Sequence, residues 1–203
     1  MKILDELSWY PEQDWSLDAE WYEVTNGATL RQCDILMGCP VLRLDGRLQW
    51  PVEPSKTLPI KIETYDSIIL TQSCDLENRK VEDVLLAQVI AWPVLVRQEL
   101  QRNNQIVKKK DFRKALIEGN TPGQALLHKH EGEPHLDWSI VSFQRLYTIQ
   151  KNFLEEFALK RGPRLRLRSP YREHIAQAFA RFVMRVGLPY NARLFETEGD
   201  VRM

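Results

Sequence analysis

The sequence has no net charge, no long apolar segment and no closely spaced pair of cysteines. Its 203 residues include 28 basic and 28 acidic side chains, and this balance argues against a protein dedicated to polyanions. No apolar run approaches the roughly 20 residues that span a bilayer, so we expect no membrane contact. The three cysteines include no Cys-x2-Cys pair, the spacing of many structural zinc sites.

Internal repeats and low-complexity segments are also absent, so a solenoid is not expected. A hydrophobic content of 43% with 28% charged residues is typical of one globular domain and excludes disordered, collagen-like and coiled-coil chains. The segment from Met1 to Glu6 shows no basic start followed by a long apolar stretch, as a secretory signal would. An odd number of cysteines fits a reducing compartment. We therefore expect a cytoplasmic protein, and we expect no cofactor.

The two signs of charge lie at opposite ends of the sequence. Residues 1–30 contain one lysine and seven acidic residues, a net charge of −6, whereas residues 160–193 contain nine basic residues and one glutamate, a net charge of +8. Because the arginine fork matches phosphate geometry, the basic segment predicts a nucleic-acid surface. We expect its phosphate contacts from Arg164, Arg166, Arg168 and Arg172. The alternative is that the acidic segment docks on the basic one within a molecule or a dimer.

The first half of the sequence predicts an aromatic arm followed by strands. Residues 1–29 hold three of the six tryptophans, and Asp18 to Tyr22 fits a short helix capped by Ser16. Residues 30–44 read as paired strands separated by Gly38, with Asp45-Gly46 as the next hairpin turn. Two apolar runs, residues 65–72 and 84–92, are typical of central strands. They are separated by a turn over residues 73–78.

The second half predicts mostly helices, so the layout is α+β. Residues 97–120 form a charged helical insert, and residues 139–149 alternate as a pair of strands. A short helix over residues 152–160 ends at Gly162-Pro163, and Ser169-Pro170 begins a long closing helix. Five apolar side chains share one stripe of that helix, which predicts that the stripe is covered by the protein core or by a second copy; they are Ile175, Phe179, Phe182, Val183 and Val186.

Four segments, taken in order, resemble strands of the MazF/PemK plasmid-maintenance toxins. The stretch from Arg31 to Leu36 is similar to the family's opening strand, and Ser67 to Gln72 to its next conserved strand. The run from Val84 to Val89 and the pair spanning residues 139–149 resemble the strands that follow. The resemblance covers about residues 30–157, including the helical insert, and leaves residues 158–203 as a basic C-terminal helix region.

This resemblance implies an SH3-like β-barrel, a homodimer and a groove that holds single-stranded RNA. It also implies a toxin–antitoxin or defence role. The sequence departs from the family at three places. Cys33 replaces the opening glycine, Asp66-Ser67 stands where the family has Arg-Pro, and Gln88-Val89-Ile90 lacks the Pro-Ile-Thr ending. The resemblance therefore implies RNA binding without the family's usual ribonuclease residues.

A second function class is a hydrolase or metalloprotein centred on the end of the 65–72 strand. Cys74 becomes a nucleophile where an imidazole lowers the pKa of its thiol, and His128, His130 and His135 are the candidate imidazoles. With Cys74, the side chains of Asp75, His128 and His130 form the candidate catalytic set. Alternatively, His128 and His130 bind a metal ion, and Cys74, Asp75 and either Cys33 or Cys39 complete a tetrahedral site. The structural alternative is a packed thiol, with Asp75 capping a turn. A third hypothesis is an interaction module that catalyses no reaction.

Overall fold

The fold is known from a computed structural model, which describes residues 20–44 and 60–184. These residues form a mixed α+β structure around one antiparallel sheet of seven strands. The strands are β1 (Tyr22–Thr25), β2 (Asp34–Leu44), β3 (Ile60–Ile69), β4 (Asp83–Ala91), β5 (Gln124–Leu127), β6 (Ser139–Gln150) and β7 (Arg164–Leu167). Their order across the sheet is β1-β7-β2-β3-β4-β6-β5.

The described residues also form five helices, four between strands and one after β7. They are α1 (Ser73–Glu77), α2 (Trp92–Gln101), α3 (Lys110–Ile117), α4 (Lys151–Arg161) and α5 (Tyr171–Val183), and a 3-10 turn lies at Ile106–Lys108. No helix in the described ranges is long and apolar enough to cross a membrane.

The alternation of β4 divides the core into two faces. Ala87 and Val89 point to the main core, in which α5 contributes Ile175 and packs Phe179 and Phe182 against the buried residues. The even-numbered residues of β4 point to the opposite face of the sheet. There, Val84 and Leu86 join a cluster with Leu154 and Ala158 of α4, which we call the α4 cluster. Farther along the same face, Ile90 joins Leu95 of α2 and Leu116 of α3 in the α2–α3 cluster.

The two edge strands approach each other without pairing. The hydroxyl of Tyr22 in β1 donates to the carbonyl oxygen of His128, one residue beyond β5, over 2.6 Å. Trp21 also stacks on His128, with 5.5 Å between ring centroids. Within the described ranges no backbone ladder joins β1 to β5, so the sheet curls toward closure but stays open.

Strands β2 and β3 extend beyond their neighbours as a two-stranded ribbon. Of β2, only Asp34 and Ile35 pair with β7, and β3 pairs with β4 only from Asp66 onward. The two strands nevertheless pair with each other as far as Leu44 and Ile60. The outer part of this hairpin therefore projects from the sheet.

The predicted elements agree with this structure most closely in the second half. Helices lie in the 97–120 insert, α4 ends just before Gly162, and α5 begins after Pro170, because proline suits a first turn and glycine an end. The 65–72 and 84–92 runs are strands, as predicted. The closing stripe is covered at Ile175, Phe179 and Phe182.

Several predictions were wrong. Tyr22 begins a strand, not the end of a helix, and residues 73–77 are helical. Residues 34–44 form one strand, because Gly38 takes φ +63° and makes a bulge instead of a turn. Residues 139–150 likewise form one strand with a register shift. The side chain of Val183 is 50% exposed, so it lies outside the covered stripe. Ser16, Asp45-Gly46 and Val186 lie outside the described residues.

Candidate functional site

Two of the arginines predicted to contact phosphate are buried beneath β1, β2 and β7. Arg164 is 3% and Arg166 9% exposed, and both pair with Asp34, which is fully buried. Arg164 Nε lies 2.7 Å from Asp34 Oδ2, and Arg166 Nε lies 2.5 Å from Asp34 Oδ1. Arg164 also donates to the carbonyl oxygens of Gly27 and Thr29. Because their donors are used internally, Arg164 and Arg166 tie three strands together and do not form a phosphate-binding surface.

The other two arginines are half-exposed and also have acidic partners. Arg168 pairs with Glu20, and Arg172 Nη2 lies 2.6 Å from Glu173 Oε1. Glu23 lies 3.4 Å from Arg166 Nη1. The acidic segment thus docks on the basic one at Glu20 and Glu23, as the intramolecular alternative predicted. Phosphate contacts by Arg168 and Arg172 stay a prediction.

Cys74 and Asp75 lie on α1, at the end of the β3 strand. The Cys74 thiol is exposed and lies 3.6 Å from Gln72 Oε1 and 3.8 Å from Asp75 Oδ1. Asp75 lies 3.9 Å from Lys80 Nζ. Among the described residues, no histidine hydrogen-bonds with Cys74, and no group of three or more His, Cys, Asp or Glu side chains is arranged to hold a metal ion.

His128 and His130 belong instead to the seam between the two sheet edges. The His128 ring lies between Trp21 and Trp138, at centroid distances of 5.5 and 4.4 Å. His130 Nδ1 lies 2.8 Å from the carbonyl oxygen of Pro134, and its ring meets the edge of Tyr22. Both rings therefore pack among aromatic side chains. Their part in a catalytic set with Cys74 stays a prediction without an observed contact.

A polar strip that the sequence analysis missed lies between the α4 cluster and the α2–α3 cluster. Along β4, Gln88 stands between Leu86 of one cluster and Ile90 of the other, on the same face. Its register partner on β3 is Ser67, and Tyr147 of β6 pairs with Leu86. We call Tyr65, Ser67, Gln88, Arg145 and Tyr147 the polar strip.

Hydrogen bonds order the hydroxyl groups of the strip. Ser67 donates its single hydroxyl proton to the carbonyl oxygen of Tyr65 over 3.0 Å. The hydroxyl of Tyr147 must then be the donor to Ser67 Oγ. Burial raises the pKa of Tyr147, so its phenol stays protonated. The strip therefore offers a neutral phenol and a fixed serine in a partly dry setting.

Arg145 gives the strip its charge. Its Nη1 donates to Gln88 Oε1 over 3.0 Å, while Nε and Nη2 make no hydrogen bond within the described residues. The other buried or partly buried lysines and arginines of the described ranges all pair with a carboxylate; they are Lys151, Arg164, Arg166 and Arg172. Arg145 is thus the one partly buried cation of these ranges that has no acidic partner there.

The ribbon continues the strip as a basic surface. Residues at every second position of β3 share a face, so Lys61 and Glu63 lie on the side of Tyr65 and Ser67. Arg43 is the register partner of Lys61. Both cations share the carboxylate of Glu63, at 3.6 Å from Arg43 and 2.6 Å from Lys61. With Arg145, this face carries three cations and the carboxylate of Glu63, while the carboxylate of Asp66, between Tyr65 and Ser67 in the sequence, accepts from the backbone N–H of Gly38.

One signal in the sequence pointed to this site. Gln88 interrupts an otherwise apolar strand, and its side chain faces the same way as Leu86 and Ile90. A buried amide needs a hydrogen-bond partner, which here is Arg145. No comparable signal marks Arg145, because it reaches Gln88 from the part of β6 where the pairing register shifts.

Neither a protein-family model nor any curated protein matches the sequence.

The three cysteine thiols differ in solvent exposure, since Cys74 is exposed and Cys33 and Cys39 are buried. Burial raises the pKa of the Cys33 thiol to about 12 and that of Cys39 to about 11, so both stay protonated and shielded. We expect Ellman's reagent to titrate one thiol in the native protein and three in denaturant. The variant Cys74→Ser should show none in the native state. A second reactive thiol in the native protein would contradict the burial of Cys33 and Cys39.

Proposed function

We propose that this protein binds single-stranded RNA across the polar strip and the basic face of the ribbon. The observation that carries the proposal is Arg145, a partly buried arginine without an acidic partner in the described residues, on the sheet face that also carries Tyr65 and Tyr147. Sheet faces that bind single-stranded RNA combine aromatic rings for base stacking with cations for the backbone. Tyr65 and Tyr147 supply the rings, Arg43 and Lys61 supply the cations for the backbone, and Arg145 adds a positive charge on the sheet face.

The proposal retains part of the family resemblance and moves the site. A MazF/PemK-like, SH3-like barrel over residues 30–157 implies a groove for single-stranded RNA and a toxin–antitoxin setting. In our proposal the RNA lies on the sheet face opposite α5, not on the basic segment that follows Lys160. The homodimer implied by the resemblance belongs to the same proposal and can be measured by light scattering.

Arg43 and Lys61 are the expected phosphate contacts, because both side chains are largely exposed at the ribbon surface. We expect the double variant Arg43→Gln, Lys61→Gln to weaken binding of a labelled 8-nucleotide RNA about 10-fold or more at low salt. Each lost phosphate contact should also lower the slope of log affinity against log salt by about 0.7. Fluorescence polarisation between about 50 and 200 mM salt measures both quantities, because phosphate contacts weaken steeply over this range.

Two further variants locate the RNA. Arg181→Gln removes an exposed cation from α5, on the opposite side of the sheet, and should bind like the parent protein. The pair Arg168→Gln, Arg172→Gln tests the earlier basic-segment hypothesis. A loss of binding in that pair, with none in the ribbon variant, would place the RNA on the wrong face for our proposal. No binding by the parent at the lowest salt concentration, about 50 mM, would reject the function.

A further inference from the structure

The free edge of Arg145 suggests a more specific role, which rests on the proposed RNA binding. Because Nη1 is held by Gln88, the edge formed by Nε and Nη2 faces no partner in the described residues. The same edge of Arg166 holds a carboxylate in this protein, with Nε bonded to Asp34 Oδ1 and Nη2 bonded to Asp34 Oδ2. That edge presents two parallel N–H donors to a pair of acceptors.

A base edge fits this position better than a phosphate group. The exposed cations Arg43 and Lys61 lie on the projecting ribbon, whereas Arg145 is partly buried beside Gln88 on the floor of the strip. Single-stranded RNA bound to a sheet face turns its bases toward the sheet, where they stack on aromatic rings. The tyrosines of the strip lie on the same face as Arg145. The backbone then follows the outer cations, and a base meets the guanidinium.

We propose that Arg145 is a specificity-determining residue that recognises guanine through its O6 and N7 atoms. These two acceptors match the paired donors of an arginine, which is the most frequent specific contact of arginine with a base. Gln88 is a positioning residue, since its amide oxygen fixes the guanidinium and leaves the Nε–Nη2 edge free. Uracil and adenine do not present two adjacent acceptors on one edge in this way. Cytosine does so only at O2 and N3 of its Watson–Crick edge, so loss of the guanine N7 atom is the change that tests this contact.

The test uses the full chain and three labelled 8-nucleotide RNAs. One is all uridine, one carries a single central guanosine, and one carries 7-deazaguanosine, which lacks the N7 acceptor, at the same position. We expect the guanosine RNA to bind about 10- to 100-fold more tightly than the uridine RNA, as a good bidentate base contact allows. The 7-deazaguanosine RNA should lose most of that gain.

The variant Arg145→Lys keeps the charge and removes the fork. We expect it to abolish the preference for guanosine, so that the guanosine and uridine RNAs bind this variant with equal affinity. Gln88→Leu should reduce the preference without removing it, because Arg145 is then less well oriented. Thermal melting of both variants, compared with the parent, confirms that they fold.

Other results overturn the inference in distinguishable ways. If all three RNAs bind equally and Arg145→Gln lowers the salt slope by about 0.7, Arg145 contacts a phosphate, so the guanine inference fails and the RNA-binding proposal stands. Equal binding with no effect of Arg145→Gln also rejects the inference. If none of the RNAs binds, both proposals fail.

Discussion

Replacing Asp34 with asparagine should lower the free energy of unfolding by about 3–5 kcal/mol, the cost of removing one partner of a buried ion pair. An asparagine side chain has nearly the same volume as an aspartate, so packing is preserved and the loss is electrostatic. Among the residues of the described ranges, Asp34 is the one carboxylate in contact with both buried arginines, and it accepts from Arg164 and Arg166 at 2.7 and 2.5 Å. Without it, two guanidinium groups share a site that is almost closed to water. Urea denaturation measures the effect.

The control is an exposed ion pair on α4. Lys160 Nζ lies 2.5 Å from Glu156 Oε1, and both side chains are largely exposed. Solvent screens such pairs, so Glu156→Gln should leave the denaturation midpoint near that of the parent. Equal midpoint shifts in the Asp34 and Glu156 variants would show that Asp34 is not held in a buried ion cluster.

The second large effect is expected at Phe143. This ring is 1% exposed and contacts two rings of α5, at centroid distances of 5.5 Å to Phe179 and 6.1 Å to Phe182. Phe143→Ala removes the surface on which α5 packs and should cost about 3–5 kcal/mol, as truncation of a buried phenylalanine does. Thermal or urea unfolding provides the measurement.

An exposed phenylalanine provides the matched control for that truncation. Phe153 of α4 is 45% exposed, so Phe153→Ala removes the same atoms from a partly hydrated site. It should cost only a small fraction of the Phe143 effect, since surface substitutions are usually close to neutral. If both variants melt alike, α5 does not depend on Phe143 for its place in the fold.

Helices α4 and α5 were predictable because their signals are local, whereas the short α1 was predicted as a turn. Pro170 immediately before α5 and Gly162 immediately after α4 mark the helix boundaries, and the apolar stripe of α5 identifies its buried face. Among the described residues of the stripe, Val183 is the exposed one, in the last turn of the helix. A periodic pattern of apolar residues therefore overestimates burial where a helix extends beyond the residues that it packs against.

Strand β7 was not predicted, because the arginines that alternate with its leucines are buried and do not face solvent. The segment Arg-Leu-Arg-Leu has the two-residue period of a strand, but its arginines suggested a solvated, basic surface. In the structure, Arg164 and Arg166 point to a buried carboxylate, and the leucines point to the main core. Their partner Asp34 is 130 residues away from Arg164 in the sequence, and no local pattern connects them.

The polar strip was predictable only in part. Gln88 is visible as a polar residue within an apolar run, and Ser67 appeared as a departure from the family pattern on the preceding strand. That these two residues are direct cross-strand partners follows from the register of β3 and β4. The position of Arg145 beside Gln88 depends on the register shift between β4 and β6. In a regular ladder the side chains would alternate strictly between the two faces.

The pairing of β1 with β7 sets a constraint on how the polypeptide assembles during synthesis. Tyr22 pairs with Leu167, so the first described strand has no neighbour in the sheet until nearly all of the described sequence has left the ribosome. The two arginines that pair with Asp34 are likewise synthesised long after it. Such distant contacts slow folding, since loop closure must precede the stabilisation that they bring. Until Arg164 and Arg166 have been synthesised, Asp34 has neither of its two arginine partners, so the ion cluster that stabilises the finished fold forms late in folding.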